Sequence, residues 1–293
     1  MADSEAASER ARPEDSTPAT AHPPIDIGEA IEQGWLEVWY QPKIDLKRKC
    51  LAGAEALTCI RHPDRGLLMP GDFTCAAPSD IARLTESALK AALRSWSLFE
   101  EAGFNLGLAI NVQARVLLDL PIRELVAAHR PASDRWPGII LQVTEDEIVR
   151  DPKLGGEITA KLRGGGIKLA IDNFGAGYSS LASLRDLQFV EIKLDQSFVR
   201  DCATDATNGA ICQTAIDLAH RFGSAATAEG IESQTDLQAL MTMGCDFGQG
   251  ALISPPMAQI ELLDLLRQRV TKPRPQSSSA DAPPAAGIIN KVA

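Results

Sequence analysis

Polar side chains stand at or near the ends of the apolar, strand-like runs of this 293-residue chain. They are carboxylates, amides and one lysine, without a histidine, and comprise Glu55, Asn111, Gln142, Glu145, Asp172, Asn173, Lys193, Glu229 and Gln249. Oxygen ligands of this kind suit a hard cation such as Mg²⁺ or Mn²⁺. Of the four histidines, only His62 lies near the end of such a run, which disfavours a zinc hydrolase. The residue types therefore indicate an oxygen-ligand metal site, provided that the fold brings these ends together.

Eight strand-like runs alternate with helical patterns. The runs are predicted at 36–41, 51–57, 106–112, 138–144, 167–172, 189–194, 225–229 and 246–252. Helices are predicted at about 79–102, 113–128, 152–163, 179–186, 206–222, 234–243 and 257–269. Such alternation predicts right-handed crossovers and a parallel sheet, and eight strands suggest a closed barrel. The carboxyl ends of barrel strands meet at one face, where the chemistry of such folds gathers.

The connection between the first two runs is too short for a crossover helix. Only the nine residues 42–50, which include DLKRK, separate them, whereas a parallel connection needs a dozen residues or more. We therefore expect an antiparallel hairpin at this point. The predicted fold class is α/β, a TIM-like (β/α)₈ barrel with an antiparallel first strand.

Composition narrows the class of protein. The chain has 29 Lys and Arg against 39 Asp and Glu, a formal charge of −10, which disfavours a nucleic-acid binder. No apolar run approaches the roughly 18 residues of a membrane helix, so we expect no membrane association. The six cysteines form no C-x-x-C pair and indicate thiols in a reducing, cytoplasmic location. The Pro-, Ala- and Ser-rich ends predict disordered tails at 1–26 and 271–293 around one domain at 27–270.

Seven short motifs occur in one order along the predicted domain. They are AEAL (54–57), AINVQA (109–114), LQVTE (141–145), IDNFGAGYSSL (171–181), IKLDQSFV (192–199), AEGIE (228–232) and CDFGQG (245–250). Together they resemble the EAL domain of bacterial cyclic di-GMP phosphodiesterases, across roughly residues 27–270. The fold of that family, a (β/α)₈ barrel with an antiparallel first strand, agrees with the fold expected above.

The resemblance implies a role for each matching residue. One divalent metal would be held at the positions of Glu55, Asn111, Gln142 and Asp172, and a second at those of Asp172 and Asn173. Lys193 and Glu229 correspond to the catalytic residues that position and activate the attacking water. Glu232 and Gln249 correspond to supporting groups near the substrate, and Glu145 to a residue that steadies the loop after Asp172. The segment 173–186 corresponds to a region associated with dimerisation.

Three positions depart from the pattern of active members. Gln142 stands where they have Glu, and Asn173 where they have Asp. Two divalent ions about 4 Å apart repel by roughly 17 kcal/mol at an effective dielectric of 20, and an amide contributes no charge against that repulsion. We expect weak or single-site binding of Mg²⁺ or Mn²⁺. Cys59 replaces an arginine that contacts a phosphate in relatives, a loss of about 1.5 to 3 kcal/mol.

Two functions follow from this resemblance. The first is a cyclic di-GMP receptor, or an effector that engages a protein partner, with weak or no turnover. The second is a working phosphodiesterase that hydrolyses cyclic di-GMP to pGpG, with Gln142 and Asn173 binding Mg²⁺ or Mn²⁺ through their carbonyl oxygens. In either case the family implies bacterial signalling that governs biofilm formation and motility, and a homodimer through 173–186.

Overall fold

A closed ring of eight strands lies at the centre of the structure. The computed structural model describes residues 25–74, 77–175, 184 and 187–271. The ring consists, in chain order, of β1 (Leu36–Asp45), β2 (Cys50–His62), β3 (Gly107–Asn111), β4 (Ile139–Thr144), β5 (Ile167–Phe174), β6 (Glu191–Leu194), β7 (Ala225–Ala228) and β8 (Phe247–Gly248). Each strand pairs with the next, and β8 pairs back to β1. The predicted eight-stranded α/β barrel is confirmed.

Strand β1 is the antiparallel strand of the ring. It pairs with β2 from Leu36 opposite Ile60 to Asp45 opposite Cys50. It is also antiparallel to β8, whereas each later pair from β2–β3 to β7–β8 is parallel. The predicted hairpin is confirmed, because the short connection leaves no room for a covering helix.

Helices follow most of the parallel strands. Their bounds are α1 (Ile27–Glu32), α2 (Pro78–Glu101), α3 (Ala114–Asp119), α4 (Ile122–His129), α5 (Glu145–Arg150), α6 (Pro152–Leu162), α7 (Gln196–Val199), α8 (Ala206–Arg221), α9 (Gln234–Met243) and α10 (Gln259–Thr271). The helix predicted at 113–128 is two helices. Leu120 has an extended backbone because the Pro121 ring excludes the helical conformation of its predecessor. The helix predicted at 179–186 falls, apart from Leu184, outside the described residues.

Short strands outside the ring shape its margins. Gly66–Leu68 pairs with β2, and Met257–Ala258 pairs with β1. Ile25–Asp26 pairs with Phe73–Thr74, and the Ile25 side chain is buried. The remainder of the predicted tails lies outside the described residues, so the domain boundaries stay a prediction.

The barrel core is apolar and tightly packed. Buried aliphatic and aromatic side chains of the strands and surrounding helices form one large cluster. At one point β2 and β3 approach so closely that a Cβ on Gly53 would lie 2.3 Å from the carbonyl oxygen of Gly107. Glycine is therefore required there, two residues before Glu55. In the part of the chain that the structure describes, no helix has the length and hydropathy needed to cross a membrane.

Candidate functional site

The ammonium group of Lys193 lies at the centre of the polar cluster predicted from the strand ends. Its Nζ is 2.5 Å from Glu229 Oε1, 3.0 Å from Glu55 Oε2 and 3.1 Å from Asp172 Oδ1. It also donates a hydrogen bond to Gln142 Oε1 at 3.2 Å. Lys193 has no exposed surface. Three strands (β2, β4 and β5) and the loop that follows β7 thus direct oxygen atoms at one buried cation.

Two amides complete this cluster by donating hydrogen bonds to its carboxylates. Asn111 Nδ2 donates to Glu55 Oε1 at 2.7 Å. Gln249 Nε2 donates to Glu55 Oε2 at 2.7 Å and to Glu229 Oε1 at 2.8 Å. Glu55 therefore accepts from three neighbours, and the structure joins six of the predicted site residues and Gln142 into one network.

The strand register explains why these residues meet. Asn111 lies opposite Gln142 where β3 pairs with β4, and Thr144 lies opposite Asp172 where β4 pairs with β5. Parallel strands in register bring their carboxyl ends to the same level, so the polar residue that ends each apolar run reaches the same barrel mouth.

Asn173 interrupts the regular backbone of β5. Its φ is +54°, and the pairing of β5 with β6 is irregular between Ile171 and Phe174. Asparagine adopts this left-handed conformation more readily than most side chains. The Asn173 N–H donates to Asp172 Oδ1 at 3.0 Å, while the Asn173 side chain is exposed at the cavity.

Burial and mutual proximity set the protonation of the cluster. Burial lowers the pKa of Lys193, but the Glu55, Glu229 and Asp172 carboxylates outweigh this effect and hold that pKa well above its usual range. Burial raises the pKa of Glu55, but Lys193 and the amide donors outweigh this effect and leave it lowered. The pKa of Asp172 is raised, chiefly by burial, against the opposing effect of Lys193. Burial raises the pKa of Glu229 to about 8, against the opposing effect of Lys193.

The donor set fits one hard cation better than two. Glu55, Asn111, Gln142 and Asp172 supply oxygens of the type that Mg²⁺ and Mn²⁺ bind. With Glu55, Asp172 and Glu229 ionised, Lys193 still cancels one of their three negative charges. Within the described ranges, no group of three acidic, histidine or cysteine side chains is arranged as a metal site. The carboxylates face the lysine instead.

A cavity of about 720 Å³ opens above this cluster. Glu55, Asn111, Gln142, Asp172 and Glu229 are among its polar lining residues. Apolar residues line it as well, including Ile27, Leu57, Met69, Phe73 and Leu84. Among the described residues, no arginine or lysine lines the cavity. Its volume is typical of sites that bind small organic molecules.

Neither Glu232 nor Cys59 is among the described residues that line the cavity. The Glu232 carboxylate is exposed and lies 3.4 Å from the Arg200 guanidinium. Cys59 is fully buried, and its Sγ lies 3.5 Å from Met69 Sδ. Arg61, two residues further along β2, makes two hydrogen bonds to Glu37 and does not line the cavity. Arg61 therefore does not take the place of the arginine that Cys59 replaces.

Glu145 contacts the start of the loop that the resemblance assigns to it. The buried Glu145 carboxylate accepts a hydrogen bond from the Gly175 N–H at 2.8 Å. Residues 176–183, 185 and 186 lie outside the described residues, and most of the predicted dimerisation segment 173–186 falls there. The dimer accordingly stays a prediction.

Sequence reasoning missed other polar residues that line the cavity. These are Thr85, Gln113, Thr144, Glu147, Asp195 and Gln196. Glu147 could have been found, because Thr144 followed three residues later by Glu147 is the signature of a capping box. The structure contains this capping box at the start of α5.

Comparisons with known proteins identify the family. The EAL domain family matches residues 26–256, and the chain belongs to this family. Cyclic di-GMP phosphodiesterase PA2567 of Pseudomonas aeruginosa is 36% identical over 232 residues, which make up 78% of this chain and 40% of that protein. Cyclic di-GMP phosphodiesterase RocR of the same organism is 31% identical over 246 residues, 82% of this chain and 62% of that protein. The chain thus spans about 40 to 62% of the length of these two relatives.

A solved structure agrees with this assignment. The PaMucR phosphodiesterase, determined as a c-di-GMP complex, aligns with a TM-score of 0.70 at 29% identity. The alignment covers 80% of this chain and 97% of that structure. The barrel described above is therefore the fold of an EAL domain, a family of cyclic di-GMP signalling proteins and phosphodiesterases.

Proposed function

We propose that this EAL domain binds cyclic di-GMP at the barrel mouth and hydrolyses it weakly or not at all. It acts as a receptor, or as an effector that engages a protein partner. The observation that carries the proposal is the charge balance of the site. Three carboxylates surround one buried ammonium, while the neutral amides of Gln142 and Asn173 stand at two further predicted ligand positions.

This charge balance favours binding over turnover. Hydrolysis of a phosphodiester by two metal ions needs both ions beside each other, and their repulsion must be offset by anionic ligands. A single Mg²⁺ or Mn²⁺ would be held by Glu55, Asn111, Gln142 and Asp172, where it would supply positive charge for a phosphate. Lys193 holds the Glu55 and Asp172 carboxylates of this set in place.

The cavity supports a ligand that has both planar rings and phosphates. Its apolar lining residues include Met69 and Phe73, which can contact a base, and its polar lining includes the predicted metal ligands. Because no described arginine or lysine lines the cavity, a dianionic ligand meets carboxylates without a compensating side chain. We therefore expect cyclic di-GMP to bind more tightly in the presence of the divalent cation.

A working phosphodiesterase is the second candidate. It is favoured by the network in which Asn111 donates to Glu55 and Lys193 contacts Glu55, Asp172 and Glu229. These residues match the family motifs without substitution. The phosphodiesterases among the relatives belong to a family that depends on divalent metals, and the product would be pGpG.

Calorimetric titration with cyclic di-GMP, with and without Mn²⁺, separates the two candidates when the same samples are afterwards analysed by chromatography for pGpG. The proposal expects binding that Mn²⁺ strengthens and that Glu55→Ala weakens, with no product on the timescale of the titration. Steady formation of pGpG that Glu55→Ala abolishes would establish the phosphodiesterase instead. Failure to bind under either condition would contradict both functions.

A further inference from the structure

The carboxylate of Glu147 joins two neighbouring loops at the barrel mouth. Its Oε1 accepts a hydrogen bond from the Ala114 N–H at 3.1 Å, across 33 residues of sequence. Its Oε2 accepts from the Thr144 N–H at 3.3 Å and from the Thr144 hydroxyl at 2.9 Å. Ala114 is the first residue of α3, and Thr144 immediately precedes α5. One side chain thus caps two helices.

The position of α3 makes this contact important for the site. Asn111 ends β3, and only Val112 and Gln113 separate it from Ala114. The Gln113 side chain makes no capping hydrogen bond to α3, so within the described structure Glu147 supplies the side-chain acceptor for this helix start. A carboxylate at this end is also favoured by the helix dipole.

The connection between the two loops is reinforced at the backbone. The Val112 N–H donates to the Gln142 carbonyl oxygen at 2.9 Å, which ties the residue after Asn111 to β4. At the other end of the same loop, the Ala114 N–H donates to Glu147. Glu147 is in turn hydrogen-bonded to Thr144, the last residue of β4. Asn111 therefore lies between two attachments to the strand that carries Gln142.

We infer that Glu147 is a positioning residue that holds the Asn111 side chain against Glu55 and at the ligand cavity. Glu147 lines this cavity, and both its oxygens are engaged by the two loops. The inference rests on the proposed function in one respect, since it takes the cavity to be the ligand site. It adds a residue to which none of the seven family motifs assigns a role.

Substitution of Glu147 has a defined expected effect. Glu147→Ala leaves the Ala114 and Thr144 N–H groups without their acceptor, so the segment 111–114 loses one of its two attachments. We expect affinity for cyclic di-GMP in the presence of Mn²⁺ to fall about tenfold. Glu147→Gln keeps one carbonyl oxygen that can accept from the Ala114 N–H, and its amide group can donate to the Thr144 hydroxyl. We expect it to retain affinity within about threefold of the unaltered protein.

The matched control is Asp205→Ala. Asp205 Oδ1 caps α8 by accepting from the Thr207 N–H at 2.7 Å and the Asn208 N–H at 3.0 Å, and Asp205 does not line the cavity. Its loss removes the same number of backbone hydrogen bonds as Glu147→Ala. We expect a similar decrease in thermal stability and no change in affinity.

The experiment has one readout without ligand and one with ligand. The first is the NMR signal of the Asn111 side-chain amide, together with hydrogen exchange of residues 111–116, in the ligand-free proteins. The second is the affinity for cyclic di-GMP with Mn²⁺. The inference expects Glu147→Ala to shift the Asn111 signal, to speed exchange and to weaken binding, with Glu147→Gln near the unaltered protein and Asp205→Ala unchanged.

Each readout can overturn the inference separately from the proposed function. An unchanged Asn111 signal and unchanged exchange in Glu147→Ala would overturn it, as would equal changes in Asp205→Ala. Altered exchange with full affinity would also overturn it, because Glu147 would then stabilise the loop without positioning the site. If the unaltered protein does not bind cyclic di-GMP, the proposed function fails and the ligand-free readout alone decides the role of Glu147.

Discussion

Restoring acids at the two amide positions tests the charge balance of the site most directly. The perturbation is Gln142→Glu combined with Asn173→Asp. In the structure three carboxylates face the single ammonium of Lys193, so their combined charge is −2 when all are ionised. The double substitution changes this to −4, which equals in magnitude the charge of two divalent ions.

The size of the effect follows from Coulomb's law. One added carboxylate attracts a divalent cation 4 Å away by about 8 kcal/mol at an effective dielectric of 20. Most of this attraction is offset, because metal binding must displace a proton or strip water from the same carboxylate. The Lys193 ammonium, 3.2 Å from Gln142 Oε1, would keep a glutamate at position 142 ionised. We therefore expect a gain of at least about tenfold in Mn²⁺ affinity, or about 1.4 kcal/mol.

Titration of Mn²⁺ into the metal-free proteins, followed by calorimetry, measures this gain, and pGpG formation is then assayed at saturating Mn²⁺. Gln113→Glu is the control, because Gln113 lines the cavity but stands at no predicted ligand position. Thermal unfolding verifies that each variant is folded. Equal Mn²⁺ affinity in the double variant and the unaltered protein, or an equal gain in Gln113→Glu, would refute the reasoning that missing charge limits the site.

Two further predictions concern buried charges away from the cavity. Lys43 Nζ lies 2.6 Å from Glu191 Oε2 with both side chains buried, so Lys43→Met is expected to lower the free energy of unfolding by about 3 to 5 kcal/mol, and adding Glu191→Leu is expected to recover most of it. Urea unfolding measures both, and a loss below 1 kcal/mol in the single variant would contradict the reasoning. Burial raises the pKa of Asp236, but hydrogen bonds from Ser233 and Ala203 outweigh it and leave this pKa below its usual 3.8. A lowered pKa stabilises the fold above pH 3.8 and ceases to do so as the pH falls through the folded-state value, so Asp236→Asn is expected to cost about 1 to 2 kcal/mol at pH 7 and progressively less in acid. Urea unfolding at pH 7 and pH 3 tests this, and an equal loss at both would refute it.

Much of the barrel was predictable because its elements follow local patterns. The apolar runs are as long as buried strands, and all eight are strands in the structure, although their ends differ by several residues. The connection at 42–50 predicted the hairpin through its length alone. Pro121 would have predicted the division between α3 and α4, since the residue before a proline avoids the helical conformation.

The site was predictable at the level of strand ends but not of side-chain partners. Parallel strands in register bring Glu55, Asn111, Gln142 and Asp172 to one mouth, whatever their side chains then contact. The motifs did not indicate that Lys193 would lie among all the carboxylates, because that contact joins β6 to strands far away in the sequence.

The amino-acid sequence by itself determined the alternation of strands and helices, the hairpin, and which polar residues reach the barrel mouth. Each of these depends on spacing over a few neighbouring residues. Only the tertiary structure decided that Glu232 turns outward to Arg200, that Cys59 is buried against Met69, and that Glu147 joins two loops. The direction of a side chain and its hydrogen-bond partner depend on groups that closure of the ring brings together from distant parts of the chain.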